Sequence, residues 1–304
     1  MVIETENLTK SFGSVLAVDR VSLSVGRGEI YGFLGLNGAG KTTTIRMLLG
    51  MIAPTTGSAT ILESPIRRGG RGPWEKIGCI VETPHSYPDL TTRENLEVHR
   101  RLRGLADPDA VGRIMKTLRL DSYADRKAGH LSLGNAQRLG LAKALMHNPE
   151  VLILDEPSNG LDPAGIVEMR NLLIGLAREQ AVTIFVSSHI LGEISKIADR
   201  IGIIHHGRLL QESEASDLER SLMRRLVVRT RDNEKAMKQL KEKGLDPLRE
   251  DTAIILNDEK SLNAPEHVAS LLAAASVPPY SLVLEEEDLE QYFLRIIQER
   301  EANG

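Results

Sequence analysis

Gly35-Leu36-Asn37-Gly38-Ala39-Gly40-Lys41-Thr42 satisfies the pattern G-x-x-x-x-G-K-[ST] at every fixed position. Before it runs Ile30-Tyr31-Gly32-Phe33-Leu34, apolar and of strand length. After it, Thr43 to Leu49 reads as a helix closed by Gly50. A chance glycine-rich turn would lack that flanking pair. Strand, glycine loop and helix together make a phosphate cradle, because glycines let backbone N–H groups turn inward and the helix N-terminus adds partial positive charge. The expected nucleotide contacts are Gly35, Asn37, Gly38, Ala39, Gly40, Lys41, Thr42 and Thr43. Lys41 is expected to pair the β/γ-phosphates, and the Thr42 hydroxyl to ligate Mg²⁺.

The surrounding chain has 304 residues, enough for one large domain or two unequal ones. Hydrophobic residues make up 41%, sufficient for a sizeable core, and a formal net charge of −4 gives no global basic field for nucleic acid. The single cysteine, Cys79, excludes an internal disulfide and suits a reducing compartment. Met1 to Glu6 lacks the basic and apolar segments of a signal peptide. The longest uncharged stretch, His267 to Leu284, contains Pro278-Pro279 and reads as helix, turn and strand, so no membrane span is expected.

Residues 2–9 and 16–25 alternate apolar and polar positions and predict two strands, with Lys10-Ser11-Phe12-Gly13 as a turn between them. An aromatic there either packs in the turn or stacks on a base. Residues 57–63 and Ile77 to Val81 predict further strands, the second ending at Glu82. Thr83-Pro84-His85-Ser86-Tyr87-Pro88 predicts an exposed loop, and Thr91-Thr92-Arg93-Glu94 a capping box that opens a helix. From there to Asn148 the pattern is helical, interrupted near residues 105–108 and Gly129. It reads as an inserted subdomain whose last helix has Ser132 as N-cap and Ala136, Leu139, Ala142 and Leu145 on its buried face.

Val151-Leu152-Ile153-Leu154 runs straight into Asp155-Glu156. A buried parallel strand ending in acid is where a phosphate-loop protein holds its Mg²⁺ aspartate, and Glu156 follows where it can orient or deprotonate a water. The loop from Ser158 to Pro163 carries Asp162. Val182 to Val186 predicts a strand ending in Ser187-Ser188-His189, and that histidine is either structural or on the ligand-facing sheet edge. Residues 201–204 and 208–210 predict a hairpin turning at His205-His206-Gly207. Residues 212–225 predict a polar linker helix, and 226–300 an α+β alternation closed by a helix over 288–298.

In this order the motifs resemble the nucleotide-binding subunit of an ABC transporter, over about residues 1–215. Phe12 falls at that family's adenine-stacking position, Ser132 to Gln137 in its signature, Asp162 in the loop that pairs two cassettes, and His189 at its switch histidine. The signature reads Leu-Ser-Leu-Gly-Asn where Leu-Ser-Gly-Gly-Gln is usual, with Ser132 and Gly134 kept. Glu82 stands where glutamine is usual. With the Tyr87 to Thr91 and Asn159 to Pro163 segments, these features resemble the bacitracin-resistance and lantibiotic-immunity exporter branch.

The resemblance implies an α/β fold: a P-loop NTPase (RecA-like) core with an N-terminal antiparallel β subdomain and a helical subdomain at about 85–150. That domain would span 1–220, with a small α+β accessory domain over 221–304. It implies ATP and Mg²⁺ as ligands, with Thr42, Asp155 and, as a further candidate, Glu82 on the metal. Lys41, Glu156 and His189 would be catalytic, and Ser132 and Gly134 would reach ATP in trans from a second nucleotide-binding subunit. The implied partner is an integral membrane permease at the cytoplasmic face of the membrane, driven to export an antimicrobial peptide or drug, with no nucleic acid involved. The alternative is a soluble ABC ATPase acting as a regulatory nucleotide switch. Ribosome- and DNA-acting relatives fit less well, since one cassette, no heptad run and no basic tract are present.

Overall fold

The computed structural model describes residues 1–303, which pack as two compact units, one over Met1–Asp217 and one beginning at Leu218. The first opens with strands β1 (Ile3–Phe12) and β2 (Val15–Val25). Phe12 pairs with Val15, so the strand runs through the segment expected as a turn, and only Gly13 and Ser14 reverse the chain. Strand β3 (Ile30–Leu34) is buried at all five positions and leads through the glycine loop into helix α1 (Lys41–Leu48). Strands β4 (Thr56–Ile61) and β5 (Ser64–Pro65) complete an antiparallel sheet of order β2-β1-β4-β5.

A second sheet is built from β3 and five later strands. These are β6 (Ile77–Ile80), β7 (Val151–Asp155), β8 (Thr183–Ser188), β9 (Arg200–His205) and β10 (Arg208–Glu214), in the order β10-β9-β3-β8-β7-β6. All neighbours are parallel except β10 against β9. Strands β3, β7 and β8 are buried at every position, with apolar runs at Ile30–Leu34, Val151–Leu154 and Ile184–Val186, as a sheet covered on both faces favours. Phe185 stacks on Tyr31 and tilts against Phe33 in the core shared by the two sheets. Leu34 pairs with Ser188 and Asp155 with Ser187, so the carboxyl ends of β3, β7 and β8 share one edge.

Between β6 and β7 lie helices α2 (Thr92–Leu102), α3 (Ala110–Thr117) and α4 (Leu133–Leu145). The capping box forms as read: Thr91 accepts from the Glu94 amide while Glu94 accepts from the Thr91 amide. Helix α4 buries Asn135, Gln137, Gly140, Leu141 and Ala144 besides three of its four expected positions, Ala136 remaining partly exposed. Helices α5 (Pro163–Gln180), α6 (Leu191–Ile194) and α7 (Ala215–Arg220) complete the series up to the second unit.

The linker helix expected over 212–225 is corrected. Glu212 and Ser213 pair with Gly202 and Ile201 in β10, and Arg200 binds Glu212 at 2.8 Å. Arg224 and Arg225 belong to β11 (Arg224–Thr230) and pair with Glu286 and Glu285. The polarity of this stretch is that of ion-paired strand ends, and only α7 is helical.

The second unit continues with α8 (Asn233–Glu242), β12 (Leu248–Glu250), β13 (Ala253–Leu256), α9 (Glu259–Asn263), α10 (Pro265–Ala274), β14 (Pro279–Glu286) and α11 (Leu289–Asn303). Its antiparallel sheet has the order β12-β13-β11-β14. Leu226, Val228, Ile254 and Leu256 pack against Ala236 and Leu240 of α8 and Val268 and Leu272 of α10. The short β12 and α9 carry too few residues to show a period. Gly304, the end of the expected accessory domain, lies outside the described residues. Among the described residues no helix is long and apolar enough to cross a membrane.

Candidate functional site

Gly40 starts α1 at φ 111°, and no side chain caps that helix, so its first-turn amides are left for an external acceptor. Glycine is required here, since a Cβ on Gly40 would stand 2.7 Å from the Ala17 carbonyl oxygen. Leu36, Asn37 and Gly38 are exposed at the loop's crest, whereas Ala39 is buried beneath it.

Lys41 is only 5% exposed, yet its ammonium is fully engaged. Nζ donates to the Gly35 carbonyl at 2.6 Å and the Leu36 carbonyl at 3.2 Å, and pairs with Glu156 Oε1 at 3.0 Å. The Thr42 hydroxyl donates to Asp155 Oδ2 at 2.8 Å. Ser187 ties the two acids together: its hydroxyl donates to Asp155 Oδ1 at 2.6 Å and accepts from the Glu156 amide at 3.0 Å. Glu156 takes a left-handed backbone (φ 51°), which turns its side chain away from the strand's alternation. His189 Nδ1 lies 2.6 Å from Glu156 Oε2. One carboxylate thus joins the phosphate-loop lysine to the histidine beyond β8.

A cavity of about 390 Å³ opens on this network, lined by Thr42, Glu82, Asp155, Glu156, Gln137 and Gly160 among others. Glu82 stands on its wall (φ 58°) with its carboxylate bound to Arg46 of α1. Gln137 is 4% exposed, and its amide oxygen has no hydrogen-bond partner among the described residues. Among the described residues no group of three or more His, Cys, Asp or Glu side chains is arranged to hold a metal ion by itself. A hydroxyl and a buried carboxylate 2.8 Å apart are hard oxygen donors. They fit Mg²⁺ in the manner of sites completed by substrate phosphates and water.

The remaining predicted residues lie elsewhere in the unit. Phe12 is 51% exposed at the β1–β2 hairpin end, with Lys10 Nζ 5.1 Å from its ring centroid. Ser132 caps α4 by accepting from the Asn135 amide. Ser132 and Gly134 line a separate cavity of about 620 Å³ with Leu161 and Asp162, and no residue of the phosphate loop borders it. Asp162 is the N-cap of α5, accepting from the Gly165 amide at 2.8 Å.

Sequence reasoning missed several contributors. Ser187 carried no motif beyond its place in a Ser-Ser-His strand end. Asn95, 1% exposed, accepts from the Tyr87 amide and donates to the carbonyls of Tyr87, Leu90 and Thr91, so one side chain sets the loop after Glu82. Lys143 of α4 donates to the His85 carbonyl and the Ser86 hydroxyl, and burial pulls its pKa below the usual lysine value. Beside that loop lies a groove of about 540 Å³, whose lining includes the exposed Met51, Tyr87 and Leu102.

The ABC transporter family profile matches residues 18–159. BcrA of Bacillus licheniformis, a bacitracin transport ATP-binding protein, is 41% identical over 300 residues, covering 97% of both chains. The chain belongs to the ABC transporter ATP-binding proteins. A second BcrA, from Enterococcus faecalis, is 46% identical to the cassette over 217 residues, covering 71% of this chain and 70% of its own. Among solved structures, the ATP-binding cassette MJ0796, a dimer in a post-hydrolysis state with ADP and Pi, aligns with a TM-score of 0.64 at 25% identity. It covers 70% of this chain and 98% of its own. The coverage of MJ0796 falls short of the full cassette protein by about the size of the second unit, whereas BcrA of B. licheniformis spans nearly all of it.

Proposed function

We propose that the cassette binds and hydrolyses ATP with Mg²⁺ in a head-to-tail pair. The cycle drives export of a bacitracin-like antimicrobial peptide or drug through a membrane permease at the cytoplasmic face. The observation that carries the reading is Glu156, which touches both Lys41 and His189 at the mouth of the Thr42–Asp155 cavity.

A triphosphate entering the loop takes the uncapped α1 amides and draws Lys41 onto its β/γ oxygens. That breaks the Lys41–Glu156 pair and frees Oε1, while His189 keeps Oε2 fixed. Glu156 then accepts the proton of a water attacking the γ-phosphorus, a role worth about 10²–10⁴-fold in rate. The bond from that phosphorus to the β–γ bridging oxygen breaks, and ADP leaves with inorganic phosphate formed. Bound Mg²⁺ would be held by Thr42 and Asp155, and it supplies charge neutralisation at the phosphate oxygens. Phe12 gives the adenine a ring to stack on. Ser132 and Gly134 act in trans, at the N-terminus of α4, on the partner copy's γ-phosphate.

The groove beside Tyr87 takes a permease segment, and the Asn95-held loop carries the motion from Glu82 to it. The division of labour follows as 1–220 for the nucleotide-binding domain, with a helical subdomain near 85–150 inserted in a RecA-like core. Residues 221–304 serve as a regulatory or dimer-stabilising accessory domain. The cargo class comes from the BcrA relatives' names. Affinity purification of the tagged chain from detergent-solubilised membranes tests the reading. Recovery with a hydrophobic permease whose presence stimulates ATP hydrolysis supports it. An active soluble ATPase with no permease would favour the nucleotide-switch alternative.

A further inference from the structure

The cassette departs from the usual signature at Leu133, the first residue of α4, where glycine is customary. A leucine at 51% exposure there needs a reason. Its side chain lies against Gly160, four residues after Glu156: a Cβ on Gly160 would stand 2.0 Å from Leu133 Cδ2 and 3.1 Å from Cγ. Leu133 also borders both cavities, the one holding Asp155 and Glu156 and the one holding Ser132 and Asp162.

Between Glu156 and Asp162 the chain is an irregular loop. Internally it has the Asn159 amide on the Glu156 carbonyl at 3.1 Å and the Leu161 amide on the Ser158 carbonyl at 3.1 Å. Beyond it, α4 is tied to α5 through Arg138 and Glu168, and Arg119 binds the same Glu168 at 2.9 Å. The α5 flank of the loop is tied to α4 in this way and the Glu156 flank to Ser187, and Gly160, at φ +73°, is the point where Leu133 bears on its middle. Gln137, one turn along from Leu133, lines the cavity of Asp155 and Glu156, and its amide oxygen has no hydrogen-bond partner among the described residues.

We infer that Leu133 is a positioning residue for Glu156 of its own chain. By packing on Gly160 it holds the Glu156–Gly160 turn, and with it the left-handed backbone that aims the carboxylate at Lys41 and His189. The inference rests on the assignment of Glu156 as the general base. It gives the unusual signature residue a task within one chain, separate from the trans contacts of Ser132 and Gly134.

Steady-state ATP hydrolysis of the full chain tests it, using Leu133→Ala, Leu133→Met, Gly160→Ala and the Leu133→Ala/Gly160→Ala double variant, with Glu156→Gln alongside. A small misplacement of a reacting group costs up to about 10²-fold. Leu133→Ala is therefore expected to lower kcat on the order of tenfold, with KM for ATP changed by less than about twofold. Leu133→Met, which refills the contact, is expected to recover most of that loss. Gly160→Ala adds backbone strain at φ +73° to a clash with Leu133, so it is expected to lower kcat at least as much, and less severely once Leu133 is already alanine, because the clash part of the cost is then gone. ADP affinity equal to wild type in the Leu133 and Gly160 variants confirms folded protein. Wild-type kcat in Leu133→Ala, a change in KM alone, or losses that simply multiply in the double variant would overturn the inference. Full activity in Glu156→Gln would instead remove the base assignment beneath it.

Discussion

Lys41 Nζ and Glu156 Oε1 stand 3.0 Å apart, so the phosphate-loop lysine is charge-paired with the carboxylate read as the general base. All three ammonium protons are used, by Glu156 and by the carbonyls of Gly35 and Leu36. A nucleotide must compete with Glu156 for Lys41. Glu156→Gln leaves a buried cation without its partner and more receptive to an anionic ligand. Calorimetry with ADP is expected to give an affinity equal to or up to ~10-fold tighter than wild type. A markedly weaker affinity would mean that Glu156 supports the nucleotide site and does not compete with it.

Phe12 has half its surface free, and its only ring contact among those described is Lys10 at 5.1 Å. Stacking on a base is worth about 1–3 kcal/mol and tolerates base identity. Phe12→Ala is expected to weaken ATP and GTP binding alike, by roughly tenfold or more. Unchanged affinities would leave Phe12 as a hairpin-end side chain.

Asn95 gives the Tyr87 amide its acceptor and adds a side-chain donor to three carbonyls that already take a backbone N–H. Asn95→Ala strands the Tyr87 amide, while the carbonyls of Tyr87, Leu90 and Thr91 each lose a second bond and keep a backbone donor; an unmet buried polar group costs about 1–3 kcal/mol. Destabilisation of about 1–3 kcal/mol in urea denaturation is expected, with permease-stimulated hydrolysis reduced more than basal hydrolysis. A stability within about 0.5 kcal/mol of wild type would show that the loop is held by other contacts.

His99 of α2 brings an acid-sensitive element to the same region. Burial, then the charges of Arg103, Lys143 and His147, push its pKa from an ordinary 6.5 to about 4, and its Nε2 is buried without a partner. His147 is shifted in the same direction, again chiefly by burial. The unfolded chain protonates His99 near 6.5 and the folded chain only near 4, so between those values the unfolded state binds the extra proton. Stability is therefore intact above about pH 6.5 and falls as the pH drops toward 4. The urea midpoint is expected to fall between pH 7 and pH 5, and to fall less in His99→Gln. An identical pH dependence in the variant would contradict the burial argument.

The sequence made the phosphate loop, the Asp155–Glu156 strand end and the α2 capping box legible, because each is local: a few residues at fixed spacing determine the backbone they form. It suggested functional roles for Ser132 and Asp162 only through family resemblance, since neither signals such a role alone. What stayed hidden depends on distant partners. Ser187 matters because β7 and β8 pair in a register that sets it beside Asp155. Glu82 reads as a metal candidate in sequence, yet its carboxylate is held by Arg46, 36 residues away in the chain. The Glu212 to Arg225 stretch looked like a helix because its charges satisfy a helical surface as readily as a ladder of strand-end ion pairs. No one-dimensional period separates those outcomes.

The central claim is that Glu156 turns bound ATP into product. The most direct test measures bound ATP and its hydrolysis in one sample of wild type and Glu156→Gln with Mg²⁺ present. The account predicts that the variant retains stoichiometric ATP while its turnover falls by at least about 10²-fold, the lower end of what a positioned base contributes. Turnover in Glu156→Gln close to that of the wild type would contradict it.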